Sequence, residues 1–264
     1  MSFKNKVIWI TGASSGIGKA LAIELKRQGA KLILSSRRRE KLYELKQTLK
    51  TDPINTHILP LDLEDKTSLP QKVEDAWKIY GRIDILFNCG GISQRSLGLE
   101  TDLAVEQKIF DTNYWGTVIL SKNILPKMIE NGAGHLVIIS SVVGKFGTQH
   151  RTSYAASKHA LHGYFDSLRN EVFDKGINIT IICPGFINTN ITLNSVTANG
   201  ALYNKMDSNQ ANGMPAHECA TKILDAVAKN KEEIVIGGKE KYGVLLKRIF
   251  PKYFSKMLRK RNVI

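Results

Sequence analysis

The chain has 264 residues and lacks an apolar run of about 18 residues, so no segment is expected to span a membrane. Its first residues, Met1–Asn5, lack the apolar core of a signal peptide, and we expect no secretory signal. Only three cysteines are present, Cys89, Cys183 and Cys219, which makes a disulfide framework unexpected. This cysteine content predicts free thiols and a reducing, cytoplasmic location.

Signals for metal and nucleic-acid binding are also missing. The six histidines are scattered, and although His159 and His162 share a helix face, no third ligand stands near them in the sequence, so we predict no metal site. Acidic residues are scarce, since 24 Asp and Glu stand against 38 Lys and Arg and leave a formal net charge of +14. Because no recognised nucleic-acid motif accompanies this charge, we predict no nucleic-acid partner.

Apolar runs and helical patterns alternate along the chain without an internal linker. The apolar runs predict strands at Val7–Thr11, Lys31–Ser35, Thr56–Leu61, Ile83–Asn88, His135–Ser140, Asn178–Cys183 and Glu233–Ile236. Helical periodicity predicts helices at Gly16–Gln28, Arg39–Leu49, Ser68–Tyr80, Leu103–Asn131, Ser153–Lys175 and Pro215–Lys229. Strands joined in this way form a parallel sheet with right-handed crossovers, and the ligand is expected at the carboxyl ends of the strands.

A glycine-rich turn, Thr11–Gly18, follows the first predicted strand and leads into a helix, which is the context that a dinucleotide-binding turn requires. Gly12 permits the tight turn, Gly16 lets the backbone approach a pyrophosphate, and Gly18 lets the helix pack close to the strand. The helix N-terminus then faces the anionic phosphates. The predicted cofactor contacts in this turn are Gly12, Ser14, Ser15, Gly16, Ile17 and Gly18.

A tyrosine and a lysine, Tyr154 and Lys158, stand four residues apart and therefore share one face of a helix. An ammonium group near a phenol favours the phenolate, so we expect Lys158 to lower the pKa of Tyr154 from its ordinary value. Such a tyrosine can donate and accept a proton near neutrality. Ser141 stands thirteen residues upstream of Tyr154.

These motifs and their order resemble a classical short-chain dehydrogenase/reductase from about Lys6 to Gly237. The matching segments are Thr11–Gly18, Leu61–Leu63, Asn88–Gly91, Asn113–Gly116, Ser141, Tyr154, Lys158, Pro184–Gly185 and Thr189. Residues 88 to 91 read Asn-Cys-Gly-Gly where the family has Asn-Asn-Ala-Gly, a departure at two positions. The resemblance implies a single-domain α/β fold of the Rossmann type, a doubly wound parallel sheet of about seven strands with helices on both faces.

The resemblance also implies an oxidoreductase in which Tyr154 is the general acid and base for a carbonyl or secondary alcohol. Ser141 would orient the substrate oxygen, Ser140 being its rival, and Asn113 would hold a water that connects Lys158 to solvent. Lys158 would also bind the nicotinamide ribose. The implied cofactor contacts outside the glycine-rich turn are Asp62 and Leu63 beside the adenine, Asn88 and Gly90 on the adenosine side, and Tyr154, Lys158, Pro184, Gly185 and Thr189.

The residues after the second strand bear on the choice of cofactor. Relatives that prefer NAD usually have an acidic residue at the position of Ser36, which here is followed by Arg37, Arg38 and Arg39. A guanidinium group suits the 2′-phosphate of NADP. We therefore predict NADP(H) over NAD(H), with Arg37 as the phosphate contact, while Arg38 and Arg39 could instead be the solvated start of a helix.

The substrate side is less defined by the sequence. Residues 186–214 are rich in Asn, Thr and Gly and are predicted to form a lid. Gly144–Gly147 and Gln149–His150 are predicted to form another wall. Phe146, Phe186 and Leu202 suggest an apolar pocket, although each could equally be ordinary packing.

The chain after residues 1–238, the predicted catalytic domain, is a basic extension at 239–264. It holds nine Lys or Arg and one acid, Glu240, and so carries +8 of the net +14, with apolar and aromatic residues between the charges. This pattern suits a helix on an anionic membrane, interrupted at Pro251, and similar tails occur in the 11β-hydroxysteroid-dehydrogenase-like branch of the family. The alternative is an extension that packs over the lid or contacts another subunit.

Two classes of function remain open at this point. The first is an NADP(H)-dependent oxidoreductase of a small carbonyl or alcohol, possibly apolar or lipid-like, which forms a homodimer or homotetramer and contacts a membrane peripherally. The second is a non-catalytic NADP(H)-sensing protein on the same fold. Retention of Asn113, Ser141, Tyr154 and Lys158 favours the first, because non-catalytic relatives usually lose the tyrosine or the lysine.

Overall fold

The structure, a computed structural model, describes residues 1–50 and 53–260. Seven parallel strands form the main sheet in the order β3-β2-β1-β4-β5-β6-β9. They are β1 (Val7–Thr11), β2 (Lys31–Ser35), β3 (Thr56–Ile58), β4 (Ile85–Asn88), β5 (Gly134–Ile139), β6 (Ile177–Pro184) and β9 (Glu233–Ile236). Two short parallel strands, β7 (Ile187–Asn188) and β8 (Met214–Pro215), form a separate sheet. The predicted doubly wound sheet is confirmed, while this second small sheet was not predicted.

Ten α-helices accompany the strands in the described residues. They are α1 (Gly16–Arg27), α2 (Arg39–Leu49), α3 (Leu69–Tyr80), α4 (Leu103–Phe110), α5 (Gly116–Glu130), α6 (Thr152–Glu171), α7 (Ser208–Ala211), α8 (Ala216–Ala228), α9 (Lys241–Ile249) and α10 (Pro251–Arg259). The predicted long helix at Leu103–Asn131 is divided into α4 and α5 by a π-helical turn at Asp111–Trp115. Such turns widen a helix locally and often occur at functional sites.

The alternation of β1 side chains explains why helices cover both faces of the sheet. Ile8 and Ile10 pack into a cluster with residues of α1, α2 and α8, whereas Val7 and Trp9 pack into a second cluster with residues of α3, α5 and α6. Neighbouring side chains of a strand point to opposite faces, so an uninterrupted apolar run requires cover on both sides.

The strand order places a ligand site at one edge of the sheet. From β1 the chain winds outward through β2 and β3, and then returns to β4 on the other side of β1. A crevice opens at the carboxyl ends of the strands where the winding direction changes. The glycine-rich turn after β1 and the residues after β4, β5 and β6 all meet there.

Candidate active site

A cavity of about 1350 Å³ lies at the carboxyl ends of the strands. The glycine-rich turn forms one end of its wall, and Ser141, Tyr154 and Lys158 form another part of the same wall. All the predicted cofactor contacts except Asn88 line this cavity, and among the predicted catalytic residues only Asn113 does not line it. The cavity therefore joins the predicted phosphate site and the predicted proton donor.

Three glycines of the turn are required by its close contacts. Gly12 has a positive φ of 64°, and a Cβ there would lie 2.8 Å from the backbone nitrogen of Gly90. A Cβ on Gly18 would lie 2.5 Å from the carbonyl oxygen of Gly12. Gly16, also at positive φ, opens α1, and the preceding Ser15 makes no side-chain cap, so the helix N-terminus is free to face an anion. These residues fit a dinucleotide pyrophosphate.

At Gly90, one of the two positions that depart from the family's Asn-Asn-Ala-Gly pattern, the Leu63 side chain lies close to the backbone. A Cβ on Gly90 would collide with the end of the Leu63 side chain, which lines the cavity beside it. The buried hydroxyl of Thr11 accepts hydrogen bonds from the backbone nitrogens of Cys89 (3.1 Å) and Gly90 (3.2 Å). The end of β1 thus holds the loop after β4 in place.

Arg37 and Arg38 both line the cavity but have different partners. Arg37 Nε lies 3.9 Å from Oδ1 of Asp62. Arg38 donates from Nη2 to the hydroxyls of Ser14 (3.0 Å) and Ser15 (2.9 Å), so its guanidinium lies on the glycine-rich turn. The predicted phosphate contact of Arg37 stays a prediction, and the structure places Arg38 beside the phosphate-binding turn.

Two predicted site asparagines lie behind the cavity wall. The buried side chain of Asn88 donates to the Ser121 hydroxyl at 3.2 Å, and its predicted cofactor contact stays a prediction. Asn113, on the π-helical turn, accepts from the nitrogen of Ile92 (2.8 Å) and donates to its carbonyl (2.9 Å) and to the Ser157 hydroxyl (3.1 Å). Asn113 therefore fixes the loop after β4 against α6, and its water-holding role stays a prediction.

The Tyr154 phenol is buried in the wall of the cavity, on the second residue after the start of α6. Burial raises its pKa above the ordinary value because the phenolate loses solvation, while a hydrogen bond with Ser141 and the charges of Arg151 and Arg95 lower it. The net direction is opposite to the predicted lowering by Lys158. Tyr154 consequently holds its proton at neutral pH.

Lys158 is buried one turn after Tyr154, and its Nζ lies 5.9 Å from the centre of the tyrosine ring. Nζ donates to the carbonyl oxygen of Ile139 at 2.7 Å. Burial lowers the pKa of Lys158 to about 8, because the ammonium is desolvated. Lys158 is therefore still mostly protonated at neutral pH and loses its proton slightly above it.

The two serines that directly follow β5, Ser140 and Ser141, have different surroundings. Ser141 is half-buried and lines the cavity, where its hydroxyl donates to the carbonyl of Pro184 at 3.3 Å. The buried Ser140 hydroxyl lies 2.9 Å from Nε2 of His162. Interaction with the Ser141 hydroxyl lowers the pKa of Tyr154, which supports the predicted choice of Ser141.

The helices α9 and α10 form the outer wall of the cavity. Phe254 of α10 is buried, and its ring packs against Phe146 with the ring centres 4.9 Å apart. Tyr154 and Val143 belong to the same apolar cluster. Phe146, Phe186 and Leu202 line the cavity as predicted, whereas Gln149 and His150 do not line it. The extension thus packs over the substrate side of the cavity, which agrees with the alternative of an extension that packs on the protein.

Comparison with known proteins agrees with this geometry. Residues 6–200 match the family described as short chain dehydrogenase. A Drosophila melanogaster protein named dehydrogenase/reductase SDR family protein 7-like is 39% identical over 263 residues, which cover 98% of this chain and 81% of that protein. The family member 7B of Danio rerio is 36% identical over 98% of this chain and 86% of its own length.

The chain belongs to the short-chain dehydrogenase/reductase family.

Solved structures show the fold of this short-chain dehydrogenase/reductase independently. A family member from Burkholderia phymatum in complex with NAD superposes with a TM-score of 0.84 at 22% identity, and the match covers 100% of this chain and 98% of that one. A short chain dehydrogenase from Burkholderia cenocepacia in complex with NADP superposes with a TM-score of 0.82 at 18% identity, over 99% and 100% of the two chains. The fold is shared by proteins crystallised with either cofactor.

Several residues of this short-chain dehydrogenase/reductase site were not found from the sequence. Arg95 and Arg151 line the cavity, and Glu240 accepts hydrogen bonds from the nitrogens of Phe186 (2.9 Å) and Gly238 (3.0 Å). Glu240 therefore attaches the C-terminal extension to the start of the lid segment. The sequence signal was its position as the one acid in a basic tail.

In the described residues, one set of three potential metal ligands lies close together, formed by the buried His162 and Cys183 and the exposed Glu233. Its contacts argue against a metal site. Nδ1 of His162 lies 3.3 Å from Glu233, its Nε2 faces Ser140, and Lys145 contacts the same carboxylate oxygen at 2.5 Å. The two imidazole nitrogens therefore face different partners and an ammonium neutralises the carboxylate, which keeps the prediction of no metal.

Proposed function

We propose that this protein is an NADP(H)-dependent oxidoreductase of carbonyl compounds and secondary alcohols. The single observation that carries the proposal is that Ser141, Tyr154 and Lys158 line the same cavity as the glycine-rich turn. A dinucleotide bound along that wall extends from the phosphate site toward the proton donor. A non-catalytic cofactor sensor would not need a protonated phenol and a serine hydroxyl together in the wall of the cofactor cavity.

The chemistry divides between the cofactor and the protein. When bound, the nicotinamide supplies or accepts the hydride. Ser141 and Tyr154 offer two hydroxyls to the carbonyl oxygen, and Tyr154 donates its proton to that oxygen during reduction. Below about pH 8 the Lys158 ammonium favours the phenolate that remains. In alcohol oxidation Tyr154 accepts the proton instead.

The preference for NADP(H) is supported by the charge beside the adenosine end of the cavity. Ser36, Arg37 and Arg38 all line that part of the wall, and a serine stands at position 36, where relatives that prefer NAD usually have an acidic residue. Arg38 already lies on two serine hydroxyls of the phosphate-binding turn. A 2′-phosphate would complete this arrangement with a second negative partner for the guanidinium groups.

The proposed substrate is apolar or lipid-like, because α9 and α10 cover the cavity with apolar side chains. The residues of these helices that line it include Leu246, Ile249, Phe254, Met257 and Leu258. Tyr242, Leu245, Phe250 and Tyr253 are more than half exposed on the same two helices, amid the basic residues of the extension. Such a surface suits peripheral contact with an anionic membrane. No helix in the described residues has the length and apolarity needed to cross a membrane.

A homodimer or homotetramer in the reducing cytosol completes the proposal. Leu99, Leu103 and Trp115 expose apolar side chains around α4 and the π-helical turn, which supports a contact between subunits there. The three cysteines are free, which fits a reducing compartment. Light scattering after size-exclusion chromatography would give the mass of the assembly.

The experiment is a panel of carbonyls and alcohols followed by absorbance at the nicotinamide band. Decanal, 2-decanone and cyclohexanone are offered with NADPH and with NADH, and the corresponding alcohols with NADP⁺ and NAD⁺. We expect turnover with NADPH and the apolar carbonyls. Tight NADPH binding without turnover of any compound would favour the sensor, and equal rates with both cofactors would contradict the NADP(H) preference.

A further inference from the structure

Gln94, in the loop after β4, caps the helix that carries the proton donor. Its Oε1 accepts hydrogen bonds from the backbone nitrogens of Ser153 (2.9 Å) and Tyr154 (3.4 Å). The residue that immediately precedes α6, Arg151, makes no side-chain cap of its own. Since the first nitrogens of a helix have no partner within the helix, the amide of Gln94 satisfies donors of α6 from elsewhere in the chain.

The orientation of this amide is fixed by its other end. Nε2 of Gln94 lies within hydrogen-bond distance of the hydroxyls of Ser96 (3.2 Å), Thr101 (3.0 Å) and Thr152 (3.2 Å), which share its two N–H groups. The Gln94 side chain is fully buried, and an amide with both ends bonded there has a single favourable orientation. Oε1 of Gln94 therefore faces the backbone nitrogen of Tyr154 in one defined orientation.

Arg95, the next residue, binds the lid segment. It donates to Oδ2 of Asp207 from Nη2 (2.7 Å) and Nε (3.2 Å), and to the hydroxyl of Thr192 (3.1 Å). Its backbone nitrogen also donates to the carbonyl of Val196 at 2.9 Å. Asp207, Thr192 and Val196 all belong to residues 186–214. One dipeptide thus holds the catalytic helix with its first side chain and the lid segment with its second.

Asp207 closes the arrangement from the other side. The same Oδ2 accepts from Nη2 of Arg151 at 3.3 Å, and Arg151 immediately precedes α6. The side chains of Arg95, Arg151 and Asp207 are 3%, 6% and 1% exposed. A buried carboxylate between two guanidinium groups is strongly destabilised when one partner is removed, so the lid segment cannot leave without disturbing the residues next to Tyr154.

We propose that Gln94 and Arg95 are positioning residues that couple the lid segment, through Asp207, to the placement of Tyr154. When residues 186–214 lie over a substrate, the Asp207 contacts hold the loop after β4, and Gln94 holds the phenol at its working position. The inference rests on the proposed reaction for its effect on turnover, but the coupling of the lid segment to the N-terminus of α6 does not depend on that reaction.

The charges give a second consequence. Arg151 and Arg95 both lower the pKa of Tyr154, and Asp207 is the carboxylate between them. Substitution of Asp207 by asparagine leaves both cations without it, so the pKa of Tyr154 falls. Arg37 and Arg38, which also line the cavity, lie at its adenosine end, where Arg38 contacts Ser14 and Ser15.

The test uses the variants Gln94→Met, Asp207→Asn and the double variant. Rates are measured with decanal and NADPH, NADPH affinity by titration, and amide hydrogen exchange over the peptide that covers 152–158. Gln94→Met has a side chain of similar length without the cap, and we expect kcat to fall about ten- to hundredfold with unchanged NADPH affinity. Both single variants should speed exchange at the start of α6, and their effects on kcat should not multiply.

Exposed counterparts provide matched controls. Gln71→Met removes only an amide contact to Asp75, and Asp225→Asn removes only an exposed pair with Lys229. Both should leave kcat and exchange unchanged. Unchanged exchange at 152–158 in Gln94→Met or in Asp207→Asn would overturn the coupling, as would effects on kcat that multiply. A protein without any turnover would overturn the proposed reaction while the exchange measurement still decides the coupling.

Discussion

At the scale of single residues, burial moves the pKa values of the two central groups in opposite directions. It raises the pKa of Tyr154 and lowers that of Lys158 to about 8. The phenol therefore keeps its proton at neutral pH, while the ammonium is lost slightly above it. Carbonyl reduction needs the protonated phenol, and the phenolate that it leaves is stabilised by the ammonium only while Lys158 is charged.

The first prediction concerns the pH dependence of carbonyl reduction. We expect kcat/KM with NADPH to be level from about pH 6 and to fall above about pH 8, because Lys158 loses its proton there. Lys158→Arg keeps a charge at all these values and should move the fall to higher pH. Initial rates across this range measure the profile. A rate that rises through pH 8 would contradict the account.

The second prediction separates the two arginines beside the cofactor. Arg38 lies on the serines of the phosphate-binding turn, so Arg38→Ala should weaken NADPH much more than NADH, by roughly 10- to 150-fold. Arg37→Ala is the matched variant, and the sequence analysis predicts the same selective loss for it. Titration of NADPH and of NADH against each variant measures the two affinities and shows which arginine contacts the 2′-phosphate. Equal losses of NADPH and NADH affinity in both variants would show that neither arginine reads the 2′-phosphate.

At the scale of the elements, β5 carries a buried histidine that makes the sheet sensitive to acid. Nε2 of His135 lies 2.8 Å from the Thr180 hydroxyl of β6. Within the described residues its Nδ1 has no hydrogen-bond partner. Burial lowers the pKa of His135 to about 4, from the ordinary 6.5. The folded state thus binds this proton less readily than the unfolded state.

The third prediction follows from that difference. Above about pH 6.5, His135 is neutral in both states and does not change the free energy of unfolding. As the pH falls toward about 4, the unfolded state binds this proton first, so the free energy of unfolding decreases by at most about 3 kcal/mol. Urea unfolding at several pH values measures it. His135→Asn should lose this part of the pH dependence, whereas His217→Asn, on the exposed start of α8, should retain it. Identical pH dependence in wild type and His135→Asn would count against the assignment.

The elements also show how far the sequence could lead. The seven strands were predictable because each is a short apolar run covered on both faces, and the glycine spacing at Gly12, Gly16 and Gly18 reflects contacts that only glycine permits. The third strand ends at Ile58 rather than Leu61, although Leu59 and Leu61 still donate to the carbonyls of Leu34 and Ser36. Pro60 lies between them and has no N–H with which to continue the ladder.

The side-chain contacts that cross between elements could not be predicted in the same way. The π-helical turn at Asp111–Trp115 interrupts a helix whose periodicity continues on both sides, and it directs Asn113 toward Ile92 rather than into the cavity. The cap of Gln94 on Tyr154 joins residues 60 positions apart. Such contacts depend on where the loop after β4 meets α6, which the chain's local propensities do not specify.

At the scale of the whole molecule, the C-terminal helices α9 and α10 present some side chains to the cavity and others to solvent. Side chains such as Phe254 close the cavity, Phe250 lines it while 59% exposed, and Tyr253 lies outside it and is 64% exposed. The bend between the helices falls at Pro251, which starts α10 as the sequence predicted. Under the proposed function, an apolar substrate passes between a membrane surface and the cavity without crossing bulk water.

The fourth prediction tests this surface. The protein should sediment with vesicles of phosphatidylserine and phosphatidylcholine at low salt and less at high salt, because each basic residue near the surface adds about 1 kcal/mol that salt screens. Phe250→Ser combined with Tyr253→Ser should weaken the binding. Phe173→Ser, an exposed aromatic residue outside the extension, is the control and should bind like wild type. Equal sedimentation of all three proteins would contradict the membrane contact.

The central claim is that Tyr154 protonates a carbonyl that receives a hydride in this cavity, and deuterium transfer tests it most directly. NADPH deuterated at C4 of the nicotinamide is incubated with decanal, 2-decanone and cyclohexanone, and the alcohols are analysed by mass spectrometry. We predict deuterium on the carbinol carbon with wild type, and a rate roughly 10²- to 10⁴-fold lower with Tyr154→Phe at unchanged NADPH affinity. Tyr164→Phe, on the same helix, should retain the wild-type rate. Failure of all three carbonyls to acquire deuterium, or more than about a tenth of the rate in Tyr154→Phe, would contradict the account.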